Sequence, residues 1–494
     1  MATRRAFLKT AAGAAASAPA VLRGASRPLR EKPNLLFIWT DEQRHDTLAI
    51  SGNSRFRTPA LNRLASESIV FRRNYVTQPV CTPSRGSILT GLYPHQHKSV
   101  SNNIPIARDT KTQPELLNDS AYRSGYFGKW HLGDEVFAQH GFEEWVSIED
   151  LYSAHFGKNR NSAERSSYHA YLLSQGYKPD NAEENKFSRQ FAVRLPIHDC
   201  KPAYLARHAS RFILENRNDP WLLHVNFLEP HMPFHGPLND LHSEEEAPVP
   251  ANYPGDAVDH EPELYRKSRQ RYLENGFEGH DLKTRAGWQR LNRNYAGLCS
   301  QVDDALSRIL WTLEASGQSD NTVVVFTSDH GEMMGSHTLV GKSVFYEEAT
   351  RVPLLIRAPF LHRRQIVVDR PTGSIDIVPT VLDLLGAKPA AELPGQSLVP
   401  FLEGKPLHED HVFSEWYTPD NGPAGRCVIS PEGEKLVLFD KDHNMFFDTR
   451  RDPLELSNLY YKDQPRDAVL RLRQKLDKWQ ERTGDTIQFS GREI

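Results

Sequence analysis

The sequence is poor in cysteine, has no marked excess of charge of either sign, and contains no hydrophobic run long enough to cross a bilayer. Four cysteines among 494 residues are too few for a dense disulfide framework, so the fold must depend on its hydrophobic cores. Because 60 Lys and Arg nearly balance 63 Asp and Glu, a general surface for nucleic acid is disfavoured. We therefore expect no nucleic-acid partner and no membrane span.

The first 31 residues indicate export. Arg4 and Arg5 precede a short, weakly hydrophobic, Ala-rich segment that runs to Leu22, an arrangement similar to a twin-arginine signal. The alternative is an amphipathic or disordered tail. The signal predicts passage through the twin-arginine export machinery of a bacterium to the periplasm or the extracellular space. Since that route carries folded proteins, folding in the reducing cytoplasm agrees with the low cysteine content.

Apolar segments alternate with segments of helical periodicity along most of the chain. Residues 34–40, 221–227 and 322–327 are continuous apolar runs, which are typical of buried strands in a parallel sheet. The alternation predicts an α/β fold with a large, mostly parallel central sheet flanked by helices. Shorter strands near the C-terminus predict a smaller α+β subdomain. The expected division is a catalytic domain at 32–394 and a C-terminal subdomain at 395–494.

A candidate nucleophile lies in the run Cys-Thr-Pro-Ser-Arg-Gly that begins at Cys81. Pro83 suits the first turn of a helix, which would place Cys81 at the helix N-terminus, where backbone N–H groups favour an anion. Arg85, one turn further on, would point to the same face. A nucleophile, a helix end and an arginine together predict a site for an oxyanion. The alternative is a capped helix with an incidental cysteine.

Two pairs of candidate metal ligands come directly after predicted buried strands. Asp41 and Glu42 follow the first strand, and Asp329 and His330 follow the strand at 322–327. Open α/β sheets place their sites at the carboxyl ends of strands, so these side chains should converge there. Converging carboxylates repel one another, and a hard divalent cation with oxygen ligands would remove that repulsion. Each pair taken alone could equally be a solvated turn or a helix cap.

Four basic side chains occupy comparable positions. Lys129 and His131 are two residues apart and would face one side of an extended segment, while His231 and Lys342 lie just past strand ends or in glycine-flanked loops. A lone histidine or lysine is usually structural or solvated. Four of them near strand ends would supply donors for a tetrahedral anion.

These motifs together resemble the formylglycine-dependent sulfatase family, within the alkaline-phosphatase-like superfamily. The resemblance extends from Asn34 to about Leu459. Residues 80–91 are similar to the signature of the family, and residues 125–133 to its second signature. Further similar segments are 327–332, 229–234 and 447–455.

The resemblance implies a role for each candidate residue. A maturation enzyme would oxidise Cys81 to formylglycine, whose hydrate attacks sulfur. The roles implied for the other residues are as follows: Asp41, Glu42, Asp329 and His330 would hold Ca²⁺ together with the modified Cys81; Arg85 and Lys129 would stabilise the hydrate; His131 would be the base; and His231 and Lys342 would bind sulfate and supply the proton of the leaving group. Many members have Asp in place of Glu42 and Asn in place of His330, so Mn²⁺ or Mg²⁺ is an alternative to Ca²⁺.

The substrate expected from the sequence is a sulfated polysaccharide or glycosaminoglycan oligosaccharide. This expectation rests on the export signal, on the resemblance of 231–235 to carbohydrate sulfatases, and on polar segments at 140–200 and 236–285 that would be insertions over the sheet edge. Such segments can also be plain surface loops. Hydrolysis of phosphonate or phosphate monoesters, or of choline, alkyl or aryl sulfates, is the alternative activity. A binding protein on the same fold is disfavoured because the candidate catalytic residues are all present.

Overall fold

The computed structural model describes residues 32–247, 249–254, 258–387, 392–418, 422–462 and 465–489. The predicted export signal at 1–31 lies outside these residues. Within the described part of the chain, no helix has the length and apolar character required to cross a membrane.

The regular elements alternate as the sequence predicts. The strands are β1 (Asn34–Asp41), β2 (Ile69–Tyr75), β3 (Arg123–Gly128), β4 (Glu144–Val146), β5 (Trp221–Pro230), β6 (Thr322–Ser328), β7 (Arg351–Val352), β8 (Leu354–Arg357), β9 (Ile366–Gly373), β10 (Val412–Tyr417), β11 (Ala424–Ile429), β12 (Glu434–Phe439) and β13 (Met445–Asp448). The α-helices are α1 (Pro59–Ser66), α2 (Cys81–Thr90), α3 (Pro94–His97), α4 (Gln113–Leu117), α5 (Ser167–Ser174), α6 (Arg189–Ala192), α7 (Lys201–Glu215), α8 (Glu263–Asn275), α9 (Arg285–Ala315), α10 (Glu347–Thr350), α11 (Ile377–Leu384), α12 (Val399–Leu402) and α13 (Arg466–Thr483).

Nine strands form the central sheet, in the order β4-β3-β5-β1-β6-β8-β2-β7, with β9 paired to β2. Pairing is parallel from β4 through β3, β5 and β1 to β6, and between β2 and β9, whereas β7 and β8 are antiparallel to β2. Every residue of β1, β5 and β6 is buried, as expected for strands covered on both faces. The predicted fold class, a large and mostly parallel sheet flanked by helices, is confirmed.

Helices cover both faces of this sheet. On one face, Leu205 of α7 and Leu306 of α9 pack with Val225 of β5. On the other face, Ile88 of α2 and Val378 of α11 belong to a second core cluster. Burying apolar surface on both faces is what holds the parallel strands in the interior. This packing also fixes α2 against the sheet, with its N-terminus at the carboxyl edge of the strands.

A separate antiparallel sheet, β10-β11-β12-β13, follows near the C-terminus. Leu436 and Leu438 on one face pack against Leu472 and Trp479 of α13, and the opposite face contacts the main domain through Phe345. The α+β character expected for this part of the chain is therefore present, while the boundary between 394 and 395 stays a prediction. The four cysteines, all within described residues, are buried and unpaired.

His95, in α3, links that short helix to β10 of the C-terminal sheet and to the end of α13. Its Nδ1 lies 2.5 Å from Oε1 of Glu415 and its Nε2 lies 3.1 Å from the carbonyl oxygen of Thr483. Burial opposes the charged imidazolium, but the hydrogen bond and charge of Glu415 outweigh it and raise the pKa of His95. Two acceptors on the two ring nitrogens are what an imidazolium requires.

The raised pKa of His95 predicts a pH-dependent stability. A raised pKa in the folded state contributes stability that is complete below the unfolded pKa of about 6.5 and is lost as pH rises through the folded value. We expect the free energy of unfolding of the wild type, measured with urea, to fall as pH rises through the folded pKa of His95. The His95→Gln variant should be less stable than the wild type at low pH, and the difference should shrink as pH rises. A difference between the two proteins that does not vary with pH would contradict the charged pair.

Candidate active site

The two pairs of candidate metal ligands come together at the carboxyl ends of β1 and β6. β1 and β6 are adjacent and parallel, with Thr40 opposite Ser328, so Asp41 and Asp329 leave the sheet side by side. α2 begins at Cys81, where the sequence predicts a helix N-terminus. The Sγ atom of Cys81 lies 3.7 Å from Oδ1 of Asp41 and 3.3 Å from Nε2 of His330. The candidate nucleophile therefore stands against the carboxylates, at the end of a helix that favours negative charge.

Two buried cations contact these carboxylates directly. Arg85 places Nη2 at 2.7 Å from Oδ2 of Asp41 and Nε at 2.8 Å from Oδ2 of Asp329. Lys129 places Nζ at 2.5 Å from Oδ2 of Asp41, and all four side chains are inaccessible to solvent. Burial raises the pKa of Asp41, but Lys129, His231 and Arg85 outweigh it and hold that pKa well below its usual range. Asp41 is therefore a carboxylate at every physiological pH.

The position of Lys129 depends on a glycine. Gly128 has φ of 125°, and a Cβ atom there would lie 1.8 Å from the carbonyl oxygen of Asn226. Only glycine allows the chain to turn this close to β5. Asn226 also accepts a hydrogen bond through Oδ1 from Nη1 of Arg85 at 2.9 Å. One strand residue thus aligns both the turn that carries Lys129 and the guanidinium of Arg85.

Glu42 lies close to Asp41, and one of its oxygens also contacts the other two basic candidates. Its backbone has φ of 67°, a left-handed conformation that is uncommon outside glycine and is often found at functional sites. Oε1 accepts a hydrogen bond from Nζ of Lys342 and lies 3.5 Å from Nε2 of His231. Oε2 is buried and has no hydrogen-bond partner among the described residues. An orphaned carboxylate oxygen of this kind needs a cation or a donor that the protein itself does not provide.

The geometry of His330 also fits a metal ion. Nδ1 lies 2.9 Å from the carbonyl oxygen of Gly331 and must carry a proton, because a carbonyl only accepts. Nε2 then faces Oδ1 of Asp41 and Oδ1 of Asp329, each at 3.6 Å. A proton on Nε2 or a cation must therefore lie between Nε2 and these two carboxylate oxygens. In metal-bound histidines, the ring nitrogen that does not bind the metal commonly donates to a backbone carbonyl, as Nδ1 of His330 does here. Asp41, Cys81, Asp329 and His330 offer ligand atoms within 4.8 Å of one another.

His131 stands on the opposite side of Lys129 with one ring nitrogen free. Its Nε2 is 3.0 Å from Oδ1 of Asn103, which makes Nε2 the donor, while Nδ1 is buried without a partner among the described residues. Burial, together with the charges of Lys129 and Arg85, holds the pKa of His131 well below its usual range. The ring is therefore neutral, and Nδ1 is an acceptor available to a substrate.

Asn103 should act by positioning His131. Replacing it with Ala removes the acceptor that selects the tautomer, and we expect kcat to fall about 10- to 100-fold with a smaller change in KM. Asn103→Asp keeps an acceptor oxygen in place and should retain most of the activity. Steady-state kinetics of both variants checks this. Equal losses in the two variants would mean that Asn103 serves packing rather than the tautomer.

Several residues that complete the site were not predicted from the sequence. Asn103 gave no signal, because it lies in an ordinary polar loop. Asn226 could have been noticed as a polar residue inside the apolar run at 221–227. Glu332 accepts the backbone N–H groups of Met334 at 3.0 Å and Gly341 at 2.5 Å, and so closes the loop that delivers Lys342.

The polar segment at 140–200 reaches the site. Tyr152 stacks on His131 with ring centroids 4.3 Å apart. Nη2 of Arg189 donates to the Tyr152 hydroxyl at 2.8 Å, and its Nε donates to Glu149 at 2.6 Å. This segment therefore contacts the active site, and its part in substrate access stays a prediction.

Comparison with known proteins agrees with this geometry. Residues 33–387 match the family profile Sulfatase, and residues 335–482 match the profile N-sulphoglucosamine sulphohydrolase, C-terminal. Because the first profile spans well over half of the sequence, the chain belongs to the sulfatase family of enzymes, within the alkaline-phosphatase-like superfamily.

Individual relatives differ in their activities. The multifunctional alkaline phosphatase superfamily protein PehA of Trinickia caryophylli is 29% identical over 468 residues, covering 87% of this chain and 91% of the relative. The N-acetylglucosamine-6-O-sulfatase of Bacteroides thetaiotaomicron is 27% identical over 534 residues, covering 95% and 92%. A solved structure, the phosphonate monoester hydrolase of Silicibacter pomeroyi, superposes with a TM-score of 0.77 at 26% identity, covering 92% of this chain and 96% of that one.

Proposed function

We propose that the protein hydrolyses a sulfate ester of a sulfated polysaccharide or glycosaminoglycan oligosaccharide, after Cys81 is converted to formylglycine. The observation that carries this proposal is the placement of the Cys81 Sγ at a helix N-terminus, 3.3 Å from His330 and 3.7 Å from Asp41. The similarity to an N-acetylglucosamine-6-O-sulfatase supports the substrate class.

Electrostatics of the site favour an anionic ester. Asp41, Asp329 and Glu42 are matched by three cations, Arg85, Lys129 and Lys342, so a divalent cation would make the centre positive. Asp41, Glu42, Asp329, His330 and the modified Cys81 would hold that cation, which would polarise the sulfate oxygens. We take Ca²⁺ as the first candidate because most of these ligands are oxygens, with Mn²⁺ or Mg²⁺ as alternatives because His330 offers nitrogen.

The remaining residues divide the proton transfers between two sides of the site. Formylglycine supplies an aldehyde whose hydrate has a hydroxyl that can attack sulfur. Arg85 and Lys129 fix Asp41 and stabilise negative charge beside residue 81. His131 accepts through Nδ1 the proton of the second hydroxyl of the hydrate, so that the aldehyde reforms and sulfate leaves. His231 and Lys342 both contact Glu42, and the Lys342 ammonium supplies the proton of the leaving alcohol.

Hydrolysis of a phosphonate or phosphate monoester is the second candidate. It is favoured by the similarity to the phosphonate monoester hydrolase and to the multifunctional superfamily protein. Choline, alkyl and aryl sulfates are smaller substrates that the same chemistry would accept. Export through the twin-arginine machinery and maturation by a formylglycine-generating enzyme are parts of the proposal, because the first rests on residues 1–31 and the second on the motif around Cys81.

A substrate panel tests the function. The matured protein, with added Ca²⁺, is assayed on an aryl sulfate, choline sulfate, sulfated glycan oligosaccharides and a phosphonate monoester. We expect the highest kcat/KM on a sulfated saccharide, with release of sulfate measured directly. A clear preference for the phosphonate would replace the proposed substrate while leaving the nucleophile in place.

A further inference from the structure

A cavity of about 370 Å³ opens beside the nucleophile. Its wall includes Lys342 together with Val80 and Met232, which are the chain neighbours of Cys81 and His231. Another cavity, of about 930 Å³, has none of the candidate catalytic residues on its wall. Of these two cavities, only the smaller one adjoins the candidate catalytic residues, and it can receive the part of a substrate that carries the sulfate ester. Its volume is within the range of pockets that bind small organic ligands.

Several segments of the chain form the wall of this cavity, and three of them matter for recognition. α8, from the polar segment at 236–285, contributes Arg271 and Tyr272, and the end of β10 in the C-terminal sheet contributes Trp416 and Tyr417. Gln78, from the connection between β2 and α2, completes the wall. Aromatic side chains combine broad apolar faces with polar tips, which suits a sugar ring with C–H faces and hydroxyl edges.

Gln78 leaves one polar group for a ligand. Its side chain is inaccessible to solvent, and Nε2 donates to the carbonyl oxygen of Val100 at 2.9 Å. Oε1 is buried without a hydrogen-bond partner among the described residues. A buried acceptor on a cavity wall is costly unless a ligand or water satisfies it. A sugar hydroxyl is a donor of the right kind.

The charged residues of the wall are all cations. Lys342 is already paired with Glu42, whereas Arg271 is exposed and forms no ion pair with any other described residue. The guanidinium of Arg271 lies over the ring of Tyr272, 4.9 Å from its centroid. This cation–π contact restrains the guanidinium beside the ring and leaves its N–H groups for an acceptor.

We infer that this cavity binds a saccharide ring that bears a second anionic group, and that Arg271 recognises this group while the sulfate ester lies at residue 81. The inference rests on the proposed function and narrows its substrate class. The shared chemistry is a planar or tetrahedral oxyanion accepting two N–H bonds from a guanidinium. Its source is either the carboxylate of a uronic acid or a second sulfate on the sugar.

Kinetics on matched substrates test the subsite. The matured full-length protein and Arg271→Ala are assayed on three saccharides: a monosulfated neutral sugar, the same sugar with a second sulfate, and a monosulfated sugar linked to a uronic acid. We expect Arg271→Ala to lower kcat/KM about 10- to 100-fold on one of the two doubly anionic saccharides, and to leave kcat/KM on the singly anionic saccharide nearly unchanged. A loss of this size is expected for a charge-assisted hydrogen bond. The saccharide that loses most identifies the source of the anion.

Two controls separate this subsite from general damage. Arg266→Ala removes another cation of α8. The Arg266 side chain is 65% exposed, and its Nη2 lies 3.6 Å from Oε1 of Glu263. This variant should not change kcat/KM on the doubly anionic saccharides relative to the singly anionic one. Calorimetric titration of the doubly anionic saccharide into the Cys81→Ala protein, with and without Arg271→Ala, measures binding without turnover and should show the same fold-loss in affinity.

The outcomes distinguish the subsite from the function. Equal losses on all three saccharides, no loss on any, or an equal effect of Arg266→Ala would overturn the role of Arg271. If the wild type hydrolyses sulfated saccharides in those cases, the proposed function survives without the subsite. If the wild type releases no sulfate from any saccharide but hydrolyses the phosphonate, the proposed function itself fails, and the subsite with it.

Discussion

Replacing Cys81 with Ala abolishes sulfate release, with kcat lowered by about 10⁴-fold or more, because the group that attacks sulfur is removed. The fold should survive, since Ala is favourable in the first turn of α2 and Cys81 has no disulfide partner. Circular dichroism and the thermal midpoint check the fold, and sulfate release from the preferred substrate checks the activity. A variant with more than about one-hundredth of the wild-type kcat would exclude residue 81 as the nucleophile.

A second buried cysteine provides the matched control. The surroundings of these two thiols differ. Burial and Asp41 oppose ionisation of Cys81, yet Lys129, Lys342 and His330 lower its pKa, whereas burial raises the pKa of Cys200 to about 12. Cys200→Ala should therefore keep its kcat. The tryptic peptide spanning residues 74–85 of active protein should carry an aldehyde in place of the thiol. Fully active protein with an unmodified thiol would contradict maturation.

The meeting of Asp41 and Asp329 could be predicted because it follows from a general property of parallel sheets. Each residue comes directly after a buried apolar run, and carboxyl ends of neighbouring parallel strands lie at one edge. That β1 and β6 are direct neighbours could not be deduced, since strand order depends on long-range packing rather than on local pattern. The helix N-terminus at Cys81 was predictable for a local reason, the position of Pro83.

The side-chain contacts within the site could not be predicted from the sequence. The sequence predicted a metal because the converging carboxylates would repel one another. In the structure, Arg85 and Lys129 contact Asp41 and balance its charge without any metal. Glu42 was grouped with Asp41 by adjacency, but its left-handed backbone turns one oxygen toward Lys342. Backbone conformation of this kind depends on tertiary contacts, so the contact between Glu42 and Lys342 could not be predicted from the sequence.

Removal of divalent cations by prolonged chelation should lower sulfate release about 100-fold or more, since a bound cation stabilises charge in the transition state by several kcal/mol. The unpartnered Oε2 of Glu42, and Nε2 of His330 facing two carboxylates, are the atoms that a cation would satisfy. Chelation should also lower the thermal midpoint, because an ion that binds only the folded state stabilises it by mass action. Re-addition of Ca²⁺, Mn²⁺ and Mg²⁺ in turn then ranks the three candidates.

Two variants locate the ion. Asp329→Asn keeps the shape of the side chain but removes one charge, and Asp41 remains to balance Arg85, so the protein should fold yet bind metal more weakly and gain less thermal stability from Ca²⁺. Asp410→Asn alters another group of candidate ligands, Glu409, Asp410 and His411, which is more exposed and lies in the C-terminal part of the chain. We expect its metal content and activity to equal those of the wild type. If elemental analysis shows instead that Asp410→Asn loses the ion and Asp329→Asn retains it, the cation belongs to the C-terminal group, and the buried carboxylates beside Cys81 are held by Arg85 and Lys129 alone.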